Sequence, residues 1–232
     1  MGETMTEAHP LDRPVWNALA GRQAGLALGD ARAVRFAPDY GLFAAAADRS
    51  AQSLTALAAL IPQGGGLARV EAEDWGAVPG AAGVSHRLVQ MTTEALTSAG
   101  APDFAILDLG EAEAAEMLAL ATLTEPGPFF ARTHQLGDFV GVKDAAGELI
   151  AMAGERMKPA GFTEVSGVCT HPDHRGRGYA GALMRVVATR ILARGEIPFL
   201  HAYAHNAGAI GLYRSLGFSV RREMTMTVLT RA

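Results

Sequence analysis

Between Thr170 and Gly195 the chain reads THPDHRGRGYAGALMRVVATRILARG, placing Arg175, Gly176, Arg177, Gly178 and Gly181 at the start of an apolar-periodic run. Upstream, FTEVSGVCT (162–170) is rich in β-branched residues and alternates, which predicts a strand with two different faces. Downstream, Ala182, Leu183, Val186, Val187, Arg190 and Ile191 recur at helical spacing, and Gly195 stands where a helix C-cap belongs. Gly176 and Gly178 therefore fall where strand turns into helix, and without a Cβ they let the backbone approach a ligand closely. The helix N-terminus adds unpaired N–H groups and roughly half a positive charge, and Arg175 and Arg177 add whole charges. Such a loop is built to hold phosphate.

Two common phosphate loops fit poorly. A nucleotide-hydrolysing P-loop ends in Gly-Lys-Ser or Gly-Lys-Thr, whereas here Gly178 is followed by Tyr179 and Ala180. Residues 176–181 do spell Gly-x-Gly-x-x-Gly, but the next predicted strand, PFLHAYAHN, ends in His205 and Asn206 rather than in the acidic residue a dinucleotide ribose requires.

The loop instead resembles the (Arg/Gln)-x-x-Gly-x-(Gly/Ala) signature of the GNAT N-acetyltransferase superfamily. A second signature follows in HAYAHNAGAIGLYRSLGF: a strand, Asn206, and a helix carrying Leu212, Tyr213, Gly217 and Phe218. The resemblance implies an α/β fold, a mixed central sheet flanked by helices, in which the loop binds the pyrophosphate of acetyl-CoA. It implies cofactor contacts from Val168, Cys169, Thr170, Arg175, Gly176, Arg177, Gly178, Tyr179, Ala180, Gly181 and Asn206. In that family a bulge in the strand ending at Thr170 frees an N–H for the thioester carbonyl, and Gly167 would tolerate one.

Acetyl transfer to an amine needs a deprotonated amine, a polarised carbonyl and a protonated leaving thiolate. By resemblance Tyr213 is the general acid and Glu164 a strand-borne general base. His201 is a rival base because its ordinary pKa suits neutral pH, and loss of the amine proton to water is a third route. Cys169 has no His or Lys placed by sequence to activate it as a nucleophile. His171 with His174 and His201 with His205 are spaced poorly for a metal, so no metal is expected. The competing function is a noncatalytic acyl-CoA-binding or interaction module.

The elements that would position these residues can be read backward and forward. DFAILDLG predicts a strand, EAEAAEMLALATLT a helix, PGPFFARTHQLG a second helical segment, 138–170 three strands, and FSVRREMTMTVLT the last strand. Residues 102–232 thus supply one acetyltransferase domain. Residues 1–101 predict helix, strand, helix, strand, strand, with LTSAGAPD (96–103) as linker. That order resembles a degenerate copy of the domain, as in the two-lobe arrangement of glycine N-acyltransferase-like proteins.

The 232 residues are 49% hydrophobic, enough for a sizeable core, and the net charge of −4 argues against nucleic acid as partner. The single cysteine excludes an internal disulfide and suits a reducing compartment. No apolar stretch approaches membrane-spanning length and the N-terminus lacks a signal pattern. The expectation is a cytoplasmic enzyme, monomer or homodimer, acting on acetyl-CoA and a small-molecule or peptide amine.

Overall fold

The computed structural model describes residues 9–232. Its regular elements are α1 (Pro14–Leu19), β1 (Ala27–Gly29), β2 (Ala33–Phe36), β3 (Ala44–Ala46), α2 (Ala51–Ala59), β4 (Gly66–Glu71), β5 (Ala81–Thr92), β6 (Leu107–Leu109) and α3 (Ala114–Thr124). These are followed by β7 (Phe139–Lys143), β8 (Leu149–Glu155), β9 (Phe162–Thr170), α4 (Tyr179–Ala193), β10 (Ile197–Tyr203), α5 (Ala207–Ser215) and β11 (Ser219–Arg231). Local chemistry explains most boundaries. Ser50 caps α2 by accepting a hydrogen bond from the Ser53 N–H, and Asn206 does the same for α5 through Ala209.

β1–β3 form a small antiparallel sheet, and the other eight strands form one mixed sheet in the order β4-β11-β5-β10-β9-β8-β7-β6. β5 lies between β10 and β11, antiparallel to both. The sheet therefore runs across the boundary expected between residues 101 and 102, because strand pairing joins segments far apart in sequence. The segment 96–103 carries no regular element, as its composition predicts.

Each sheet face is covered by a different part of the chain. α4 buries Leu183, Met184, Val187, Ala188 and Ile191 on one face, against Val165 of β9 and Leu200 of β10. Full burial of each of the larger side chains, Leu183, Met184, Val187 and Ile191, is worth about 1.5–3 kcal/mol. The opposite face takes Leu11, Val15, Leu19, Phe36 and Phe43 against Leu88 and Phe199, and further along α3 packs Met117 and Leu120 against Met152 and Cys169. The N-terminal half is thus a cover for the sheet face opposite α4.

Two sequence expectations are corrected. PGPFFARTHQLG forms no α-helix and contributes only a 3-10 turn at Thr133–Leu136. α3 stops at Glu125, whose φ of 48° is left-handed, and Pro126 and Pro128 cannot extend it. The first helix also ends at Leu19, although apolar residues recur at helical spacing from Val15 to Leu26. Gly21 follows its C-cap, and Ala24–Leu26 is a separate 3-10 turn. Among the described residues no helix is long and apolar enough to cross a membrane.

Candidate active site

β9 and β10 run parallel but pair only at Phe162–Ile197, Thr163–Pro198 and Glu164–Phe199. Beyond that point both strands continue without each other, leaving two strand edges facing across a fork. A cavity of about 150 Å³ occupies it, lined by Met184 and Tyr213 from one sheet face and by Phe43, Val70 and Met157 from the other. The fork is thus an opening through the sheet.

β9 also carries a bulge. Met152 pairs with Cys169 but Gly154 pairs with Ser166, so β9 holds one residue more than β8 across this step. Gly167 takes it up at φ 63°, a left-handed conformation that favours glycine, and an added Cβ would meet the Phe139 ring at 3.0 Å. Because the bulge breaks the alternation, Val165 and Val168 both face α4. Cys169 faces α3.

On the α4 side the fork opens into a groove. Along it lie Val168, Cys169, Thr170, Arg175, Gly176, Arg177, Gly178, Tyr179, Ala180, Gly181, Asn206 and Tyr213, bringing together every residue singled out for the cofactor and the acid. Gly176 and Gly178 have φ of 79° and 80°, with no neighbouring atom within 4 Å of a Cβ added at either. Gly178 is the N-cap of α4, so the first-turn N–H groups of the helix point out of the loop. Arg175 is tied back by its Nε, which donates to the Thr170 carbonyl at 3.3 Å.

Tyr213 lines both groove and cavity, and burial raises its pKa, so the phenol stays protonated at neutral pH. Burial is the sole cause of that shift, and among the described residues its hydroxyl makes no hydrogen bond, unlike a tyrosine satisfied within a core. Cys169 is inert for a related reason. Burial pushes its thiol up to about 11, against weaker opposing contacts from Thr124, Met152 and Arg175. Native protein should resist maleimide at pH 7 and react once unfolded in denaturant, whereas fast native labelling would show that the thiol is reachable and ionised.

Glu164, the expected strand-borne base, is held in an ion pair. This carboxylate is fully buried, and Arg156 grips it with two bonds, Nε at 2.8 Å and Nη2 at 2.9 Å. His201 Nδ1 lies 2.9 Å from its other side. Burial alone would raise its pKa, but the charge of Arg156 and the hydrogen bonds from His201 and Arg156 outweigh that and hold it at about 2. A carboxylate so acid and so occupied is a poor acceptor for an ammonium proton.

His201 is occupied as well. Its Nε2 lies 3.0 Å from Gln90 Nε2, whose amide also donates to the Leu11 carbonyl at 2.9 Å, while Gln90 Oε1 accepts from Arg221 Nη1 at 2.8 Å. These neighbours assign the Gln90 amide, so His201 Nε2 accepts and its Nδ1–H is donated to Glu164. Arg221 sits at the register shift of β11 and closes the line on Asp12 at 2.6 Å. A polar ladder thus crosses β11, β5, β10 and β9 on the face under the N-terminal half.

Residues 139–227 match the model of the FR47-like protein family. A crystal structure of a GNAT-family protein from Novosphingobium aromaticivorans is 45% identical, covers 97% of this chain and 100% of its own, and superposes with a TM-score of 0.87. This chain belongs to the GNAT acetyltransferase family. GCN5-related proteins from Kribbella flavida (18% identity, 92% of this chain, 95% of theirs, TM-score 0.62) and Streptococcus suis (16%, 93%, 92%, 0.59) share the fold. No curated protein matches.

Within this GNAT chain, Arg156, Gln90 and Arg221 were not legible as site residues in the sequence. Gln90 and Arg156 lie outside the signatures and Arg221 just past the second, and only strand register gathers them. The histidines do not gather. His171 and His174 have rings 5.6 Å apart in the loop, and His205 stacks on Tyr203 at 5.5 Å. Among the described residues no group of three or more His, Cys, Asp or Glu is arranged to hold a metal.

Proposed function

We propose that this protein moves the acetyl group of acetyl-CoA to a primary amine by direct attack, as a cytoplasmic enzyme. What carries the reading is the position of Tyr213, its hydroxyl unengaged at the junction of the glycine-arginine groove and the fork. The N-terminus of α4, with Arg175 and Arg177, holds the pyrophosphate. The free edge of β9 from Val168 to Thr170 pairs with the pantetheine as an added strand would, and Asn206 supports that arm. An N–H released at the Gly167 bulge polarises the thioester carbonyl.

Attack then comes from the sheet face covered by the N-terminal half. The C–S bond breaks as the new C–N bond forms, and Tyr213 passes its proton to the departing sulfur. Glu164 and His201 fix the floor of the cavity. Water in the fork takes the amine proton, since neither residue has a lone pair free.

Binding can be tested separately from chemistry. Gly178→Val forces a β-branched residue into left-handed backbone, at about 1–2 kcal/mol of strain, and fills the space in front of the helix N-terminus. Calorimetry should show acetyl-CoA affinity falling by tenfold or more, and unchanged affinity would remove the cradle. Tight acetyl-CoA binding without any amine-dependent thiol release would instead identify a noncatalytic acyl-CoA-binding module.

A further inference from the structure

Resting on the acetyltransferase reading above, we propose that the acceptor is the α-amine of an aminoacyl compound with an apolar side chain and an uncharged carbonyl, such as an amino-acid amide or the first residue of a peptide. Three observations converge on this class.

The first is the absence of an open base. Both oxygens of Glu164 and both nitrogens of His201 are engaged, so the acceptor must supply its own neutral amine. An alkylamine of pKa about 10.4 is neutral in roughly one molecule in a few thousand at pH 7, whereas an α-amine at about 7.7–8.0 is neutral in roughly one in ten. That favours an α-amine by two orders of magnitude or more.

The second is charge balance. Arg156 and Glu164 neutralise each other, and both ring nitrogens of His201 are engaged in hydrogen bonds. The side chains of Arg156, Glu164 and His201 are 13%, 1% and 6% exposed. A second cation on the acceptor finds no spare anion here, and a free carboxylate finds no spare cation, so either would enter uncompensated. Arg156 does keep its Nη1, which has no hydrogen-bond partner among the described residues. Its guanidinium is fixed by the two bonds to Glu164 and lies over the Phe43 ring at 4.5 Å. A preset guanidinium NH2 donor in a neutral surround suits a carbonyl oxygen.

The third is the wall. On the sheet face opposite α4 the cavity ends on Phe43, Val70, Leu88 and Met226, the first three supplied by the N-terminal half. These four side chains form an apolar patch beside the Arg156–Glu164–His201 cluster, and an apolar side chain would cover it. The N-terminal half is then the specificity element of the enzyme.

The test uses full-length protein, acetyl-CoA and thiol release, comparing kcat/KM for leucinamide, alaninamide, free leucine, a leucyl dipeptide amide and putrescine. Leucinamide should exceed leucine and putrescine at least tenfold and alaninamide several-fold. Equal use of the dipeptide amide would identify a peptide terminus as source, and its rejection a small molecule. Phe43→Ala, with Val70→Ala as a second variant should the first fold poorly, should narrow the leucinamide-to-alaninamide ratio, a quantity independent of the folded fraction. Preference for putrescine or free leucine, or an unchanged ratio in both variants, would overturn the acceptor assignment while leaving acetyl transfer standing. Transfer to no member of the panel, with acetyl-CoA bound, would overturn both.

Discussion

Glu164→Ala should cost about 3–5 kcal/mol of stability at pH 7, the largest effect expected for any single site residue. The substitution leaves the Arg156 guanidinium buried without its counter-ion and His201 without the acceptor of its Nδ1–H, and an uncompensated buried charge costs that much. Proton linkage gives a similar size. The carboxyl has a pKa of about 2 in the folded protein against an ordinary 4.5, a difference worth about 3 kcal/mol. Since folding favours the ionised form, this contribution is complete above about pH 4.5 and is lost as pH falls toward 2. Denaturant unfolding across that range should show the parent losing stability steeply. Glu164→Gln should begin less stable and fall less. Parallel pH curves for the two proteins would mean that the carboxylate does not carry the acid sensitivity.

Tyr213→Phe should lower kcat by about a hundredfold while leaving the melting temperature and acetyl-CoA affinity nearly unchanged. The change removes one hydroxyl, which makes no hydrogen bond among the described residues, and keeps the ring that packs against the α4 core. Nothing structural is lost with it. General acid catalysis is typically worth 10²- to 10⁴-fold, and a thiolate is already a tolerable leaving group, so the lower end applies. The loss belongs in kcat because the hydrogen bond strengthens only as charge builds on sulfur. A parent-like kcat would reject Tyr213 as the acid, and a large fall in melting temperature would make it a packing residue.

What the sequence reveals of this site is what local chemistry determines. Glycines at left-handed φ, arginines beside a helix N-terminus and the cap at Asn206 act over a few residues, and so the groove from Val168 to Gly181 is readable by eye. The bulge at Gly167 belongs to the same class. The fork does not, because it depends on where β9 and β10 cease to pair. Nor does the polar ladder, whose members Arg221, Gln90, His201 and Glu164 meet only through the register of four strands. For that reason Glu164 reads in sequence as a glutamate free to act as base, while in the fold its charge is already spent on Arg156. PGPFFARTHQLG misleads differently. Its apolar spacing suggests a helix, but its prolines and the left-handed Glu125 before them prevent one.

Amine-dependent thiol release from acetyl-CoA by the parent protein tests the central claim most directly. With leucinamide present, free thiol should appear in step with a product heavier by one acetyl group, and both should fall together in Tyr213→Phe. Acetyl-CoA bound but never consumed, whatever amine is offered, would contradict it.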